Sequence, residues 1–126
     1  MSATKKILIV DDEADQREYL ATVLEDNGYA IVTAEDGVRG FELARAGGVD
    51  LITLDISMDN ESGIKMFRNL QGDEATKSIP VIMITGVSGE LKGFIERSKR
   101  LTPPQAFFEK PVDRDTLLDT VKSLVS

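Results

Sequence analysis

Side chains able to do chemistry stand out at a few places: the acidic run Asp11-Asp12-Glu13, then Asp55, Thr85 and Lys110. Clustered carboxylates are natural ligands for a hard cation such as Mg²⁺, which prefers oxygen donors. Thr85 adds a hydroxyl and Lys110 a positive point charge. The absences are equally informative. The chain has no histidine and no cysteine, which removes the usual general base, most transition-metal sites, thiol chemistry and disulfides. Taken singly, each position has a plain structural reading as well. Asp often begins a turn, acidic pairs cap helices, Thr is common in strands, and a lysine is usually a solvated surface residue.

What gives these residues weight is the kind of segment that precedes each one. Asp11 follows Ile7-Leu8-Ile9-Val10, Asp55 follows Leu51 to Leu54, Thr85-Gly86 follows Val81-Ile82-Met83-Ile84, and Lys110-Pro111 comes just after Ala106-Phe107-Phe108. These runs are too short for helices and apolar on both faces, as expected of strands buried within a parallel sheet. Tyr29 to Ala34 adds one more strand. Helical spacing fills the intervals. The first helix runs from about Ala14 to Asn27, with Tyr19, Leu20, Val23 and Leu24 on its apolar side and Gly28 as its stop. Asp36 caps a second helix carrying Val38, Phe41, Leu43 and Ala44, which ends at Gly47-Gly48. Gly63 leads a third, with Ile64, Met66, Phe67 and Leu70. Ser88 caps a fourth, with Leu91, Phe94, Ile95 and Leu101. Asp113 caps the last, whose stripe is Leu117, Leu118, Val121, Leu124 and Val125.

A βα unit repeated five times predicts an α/β fold, with a five-stranded parallel sheet covered by helices on both faces. Among doubly wound arrangements, the flavodoxin-like strand order 2-1-3-4-5 suits five strands. Ligands in such sheets bind outside the carboxyl ends of the strands, at the point where the order reverses. Here that point lies between strands one and three, whose ends carry Asp11, Asp12 and Asp55.

The bulk properties agree with one domain over residues 1–126. No apolar run approaches membrane-span length, and the apolar run behind Lys5-Lys6 stops at Val10 before a double Asp, so it is no secretory signal. A cytoplasmic setting is the simplest expectation. A net charge of −7 disfavours direct binding to a nucleic-acid backbone.

Taken together, these motifs resemble the receiver domain of two-component response regulators, and the chain is similar to the single-domain chemotaxis type. The resemblance runs from Ile7 to the end of the last helix. It is carried by Ile9-Val10-Asp11-Asp12-Glu13, by Leu54-Asp55 with Gly63 eight positions on, by Thr85-Gly86, and by Phe107 three before Lys110-Pro111. It implies that Asp55 is the phosphoacceptor, taking a phosphoryl group from a sensor histidine kinase or phosphotransfer protein as an acyl phosphate. An aspartate is ionised at neutral pH and needs no base, so the lack of histidine is no obstacle. The resemblance assigns Mg²⁺ (or Mn²⁺) to Asp12, Asp55 and the backbone carbonyl of Ser57, with Asp11 acting mainly through a water. It assigns phosphoryl binding to Thr85, Gly86 and Lys110, and implies a cis bond before Pro111. Thr85 and the inward-turning aromatic Phe107 would form the switch. Ser57 and Val87 would tune the phosphoryl lifetime, and Val87 should hinder an in-line water and make autodephosphorylation slow. The protein is otherwise not expected to be an enzyme. The signal would be read by a downstream protein target at the surface of the fourth helix, fifth strand and fifth helix. There Lys92, Arg97, Lys99 and Arg100 form either a solvated helix face or a basic surface that steers an acidic partner.

The sequence departs from the family pattern in three respects. The proline usual four positions after the phosphoacceptor is missing, and Asp59-Asn60-Glu61 makes that loop acidic. The interval from Thr85 to Lys110 is long and contains Pro103-Pro104. No output domain follows Ser126, so a stand-alone receiver or a piece of a longer regulator is expected. A pseudo-receiver that keeps the fold as a protein-interaction module, without control by phosphorylation, is the main rival. A flavodoxin-like cofactor binder fits poorly, because Asp11-Asp12-Glu13 would repel a phosphate. An Asp-nucleophile phosphohydrolase would want Asp-x-Asp after the first strand, and here Glu13 stands two after Asp11.

Overall fold

The computed structural model describes residues 4–56, 61–86, 93, 95–98 and 101–125. The elements run β1 (Lys6–Val10), α1 (Ala14–Glu25), β2 (Ala30–Ala34), α2 (Gly37–Arg45), β3 (Leu51–Asp55), α3 (Glu61–Gly72), β4 (Val81–Thr85), β5 (Ala106–Glu109) and a last helix, Arg114–Val125. Between β4 and β5, residues 93 and 95–97 are helical and represent the expected fourth helix. The five strands form one sheet in the order β2-β1-β3-β4-β5, every pair parallel. Among the described residues, no helix is long and apolar enough to cross a membrane.

Strand alternation sends successive side chains to opposite faces, so a parallel sheet needs apolar residues at both parities. On one face Leu8, Val10, Ile52, Leu54 and Met83 pack against Ala44 of α2 and Met66, Phe67 and Leu70 of α3. On the other, Ile7, Ile9, Leu51, Ile82 and Ile84 meet Leu20 and Leu24 of α1 and Leu117, Val121 and Val125 of the last helix. Phe107 joins the first face and Phe108 the second, as strand alternation requires.

Local signals place the helix ends. Asp36 accepts a hydrogen bond from the Arg39 amide at 2.8 Å, and Asp113 accepts one from the Thr116 amide at 2.9 Å. After α1 the chain reverses at Gly28, whose φ of +93° suits only a residue without Cβ. Across the sheet, α2 lies so close to β1 and α3 that a Cβ on Gly40 would stand 2.8 Å from Val10 Cγ2 and 2.9 Å from Met66 Sδ. At the lower end of the sheet, the Gln71 side-chain amide donates to the Thr102 carbonyl, and the Thr102 amide donates back to Gln71 Oε1 at 3.0 Å. This two-bond clamp ties α3 to the segment entering β5.

Some expectations need correction. Helix α1 ends at Glu25, short of Asn27. Tyr19 sits on the flank of the Leu20, Val23, Leu24 stripe and is 43% exposed. Val38 is 71% exposed, because α2 meets the sheet through the small residues Gly37, Gly40 and Ala44, a spacing that turns Val38 outward. Helix α3 begins at Glu61, two residues before Gly63. Leu101 is buried but lies beyond the helical residues, in the irregular segment before β5. Ser88, Leu91 and Phe94 lie outside the described residues.

Candidate functional site

The carboxyl ends of β1, β3, β4 and β5 all emerge at one edge of the sheet. Val10 pairs with Leu54, so Asp11 and Asp55 stand on the next rung of neighbouring strands. Both are almost wholly enclosed, at 2% and 6% exposure. The Asp11 amide still donates to the Ala34 carbonyl at 3.1 Å, continuing the β1–β2 ladder by one residue. Asp11 Oδ1 accepts from the Glu13 amide at 2.9 Å, which turns the chain so that Asp12 and Glu13 face solvent. Arg17, one turn into α1, donates from Nη1 to the Asp11 carbonyl at 2.8 Å and braces the same turn.

Lys110 enters from the opposite side. Its backbone amide donates to the Thr85 carbonyl at 2.9 Å, extending the β4–β5 ladder beyond Glu109. Its ammonium lies 2.9 Å from Asp55 Oδ1 and 3.5 Å from Glu13 Oε1. The Lys110–Pro111 peptide bond is cis, as expected. Thr85 is fully buried at the end of β4, and Gly86 beyond it is exposed with open space where a Cβ would point. Phe107 is half-buried on the face shared with α3.

Oxygens from Asp11, Asp12, Glu13 and Asp55 all lie within 4.8 Å of one another. Asp11 and Asp55 are enclosed while Asp12 and Glu13 face solvent, and two buried carboxyls beside further negative charge are costly to ionise. Burial, with the Asp55 and Asp12 charges adding to it against the opposing Glu13 amide and Lys110, pushes the Asp11 carboxyl up to about 6. Burial likewise raises Asp55, although Lys110 pulls the other way. Burial would lower the Lys110 ammonium, but the neighbouring carboxylates, Asp55 foremost, outweigh it and hold the lysine above its ordinary value.

These features fit a divalent cation. The donors are all oxygen, the cluster carries excess negative charge, and buried Asp11 Oδ2 accepts no hydrogen bond. Asp55 Oδ1 accepts none beyond its ion pair with Lys110. A hard cation such as Mg²⁺ satisfies such oxygens.

Residues 7–122 match the family profile of the response regulator receiver domain. The chain belongs to that family. Among curated proteins, this receiver is 33% identical over 121 residues to Protein PilH of Pseudomonas aeruginosa, covering 96% of this chain and 98% of that one. It is 31% identical over 120 residues to the polar-differentiation response regulator DivK of Brucella ovis, covering 95% of each. Among solved structures, the chemotaxis protein CheY4 of Vibrio cholerae superposes with a TM-score of 0.81 at 28% identity, covering 97% of this chain and 99% of that one. The chain is thus a two-component signalling domain of flavodoxin-like architecture.

Of the residues singled out in the sequence, Asp11, Asp12, Asp55, Thr85, Gly86 and Lys110 gather at this edge, with Phe107 two residues into β5. Arg97 is exposed on the β4–β5 connection. Ser57, Val87, Lys92, Lys99 and Arg100 lie outside the described residues. Sequence reasoning quoted Glu13 only as part of a motif, yet its carboxylate joins the cluster and pairs with Lys110. Its place directly after Asp12 was the available signal. Thr53 was missed altogether. Its side chain is buried in the middle of β3 and its hydroxyl has no hydrogen-bond partner.

Proposed function

We propose that this receiver takes a phosphoryl group on Asp55 from a phosphohistidine of a sensor kinase or phosphotransfer protein and passes the signal to a downstream protein. The observation that carries this reading is the meeting of four carboxylates with one ammonium, 2.9 Å from Asp55, at the edge where the sheet order reverses. An Asp55 oxygen attacks phosphorus, the P–N bond of the donor breaks, and the imidazole leaves with the electron pair. Lys110, held above its ordinary pKa, stays charged and pairs first with Asp55, then with a phosphoryl oxygen. Thr85 is the hydroxyl donor toward a further phosphoryl oxygen, and Gly86 leaves the approach open. A Mg²⁺ or Mn²⁺ ion held by Asp11, Asp12 and Asp55, with Glu13 beside them, would supply the positive charge that lets a phosphate dianion approach carboxylates.

Phosphorylation then draws Thr85 toward the site and frees room for Phe107 to turn further inward. Phe107 is already half-buried and has no hydroxyl to desolvate. The resting protein therefore need not be wholly inactive, since a complete reversal from 1:99 to 99:1 needs about 5.5 kcal/mol. The change is read on the surface around β5, the last helix and the connection bearing Arg97.

Intact-mass measurement after incubation with acetyl phosphate tests the reading. Wild type should gain one phosphate with Mg²⁺ and none in chelator, and Asp55→Asn should gain none. Equal labelling of wild type and Asp55→Asn would overturn it.

A further inference from the structure

Three buried side-chain oxygens on neighbouring strands have no hydrogen-bond partner beyond the 2.9 Å ion pair that Asp55 Oδ1 makes with Lys110: Asp11 Oδ2, Asp55 Oδ1 and the Thr53 hydroxyl. The first two belong to the acidic site. Thr53 does not, and it is 1% exposed. It shares a strand face with Asp55, two residues on, and with Leu51, on the side covered by α1 and the last helix. In register it pairs with Ile9, which places it two rungs below the Asp11–Asp55 pair and on the same face. Its partners on the flanking strands, Ile9 and Ile82, are hydrocarbon and offer no acceptor.

A valine would fill this place with the same shape and no desolvation cost, so a hydroxyl here needs a partner. Thr53 and Asp11 are diagonal same-face neighbours on adjacent strands, on the order of 7–8 Å apart along the backbone, too far for short side chains to bond directly but within the span of one water between them. Buried waters settle where several polar groups converge. We propose that Thr53 is a positioning residue that holds a buried water beneath the acidic cluster. Thr53 Oγ1 hydrogen-bonds the water, and the water donates to the unpartnered Oδ2 of Asp11. Asp11 Oδ1 is already fixed by the Glu13 amide. With both oxygens tied, the carboxyl plane is set before a cation arrives, and the ion need not order it. Thr53 thus acts through Asp11 without touching the ion. This deepens the metal-dependent reading above and rests on it.

The test compares wild type with Thr53→Val, which keeps the shape, and Thr53→Ser, which keeps the hydroxyl. Mg²⁺ affinity is read by calorimetry, and crystal structures of wild type and Thr53→Val are solved at high resolution. Wild type should show water density within hydrogen-bond distance of Thr53 Oγ1 and an Asp11 oxygen, absent in Thr53→Val. Loss of one such bond should weaken Mg²⁺ binding about fivefold in Thr53→Val, with Thr53→Ser near wild type. No water at Thr53, or wild-type affinity in Thr53→Val, would overturn the assignment. Should wild type itself fail to bind Mg²⁺, the metal-dependent reading fails and this assignment with it, whereas a missing water alone leaves the metal reading intact.

Discussion

Replacing Asp11 by Asn should make the metal-free protein more stable at neutral pH. Asn keeps an oxygen for the Glu13 amide, at 2.9 Å in wild type, and removes one of the charges crowded around Asp55. The sign follows from linkage. The Asp11 carboxyl titrates at about 6 in the folded chain, above the ordinary carboxylate value that it takes when unfolded. Between those values the folded state binds more protons, so stability falls as pH rises and the penalty is complete above the folded value. The full shift corresponds to roughly 3 kcal/mol, and about 1.4 kcal/mol of it falls between about pH 5 and about pH 7.5. Asp55, also raised, adds in the same direction. With no histidine in the chain, little else titrates in this window. Urea unfolding followed by far-UV circular dichroism, in chelator, should therefore find wild type less stable at the higher pH. Asp11→Asn should show a flatter profile and gain on the order of 1–2 kcal/mol at about pH 7.5, or roughly 4–8 °C in Tm. Saturating Mg²⁺ should close the gap by stabilising wild type more than the variant. Wild-type stability that rises over this pH range, or an Asp11→Asn variant weaker than wild type at the higher pH, would refute the reasoning.

Other outcomes follow from contacts described above. Lys110→Ala strips the ammonium from an enclosed Asp55 and should cost about 1–2 kcal/mol at neutral pH in urea titrations, besides slowing labelling by acetyl phosphate. Gly40→Ala sets a methyl 2.8 Å from Val10 Cγ2. The overpacking, about 1–3 kcal/mol, should exceed the gain of up to about 1 kcal/mol in helix propensity, and a lowered urea midpoint would show it. Gln71→Ala breaks both bonds to Thr102. Hydrogen exchange at the Thr102 amide should accelerate roughly five- to tenfold while the β4 core amides keep their protection.

The strands and the residues at their ends were legible because buried parallel strands are apolar at both parities and the polar residues begin where the strands stop. Asp11, Asp55, Thr85 and Lys110 could each be placed from that boundary alone. Helix faces were less legible. A period of 3.6 assigns a stripe but not its width, and α2 used glycine and alanine for its contact, which a search for large apolar residues overlooks. Tyr19 and Val38 were misplaced for that reason. Leu101 was drawn into a helix because burial outside regular structure leaves no periodic trace. Glu13 and Gln71 owe their importance to partners that only the folded sheet brings near. The Gln71–Thr102 clamp, for example, joins residues 31 apart in sequence.

The site draws on strands that are distant in sequence, and the Lys110–Asp55 pair reaches across the intervening β4. During synthesis, Asp11 and Asp55 leave the ribosome well before Lys110. Until β5 docks, Asp55 lacks the Lys110 ammonium, and the sheet ends at an open β4 edge. If Asp55 is the phosphoacceptor proposed above, a nascent or partly unfolded copy would be a poor acceptor and would draw little phosphate away from finished ones.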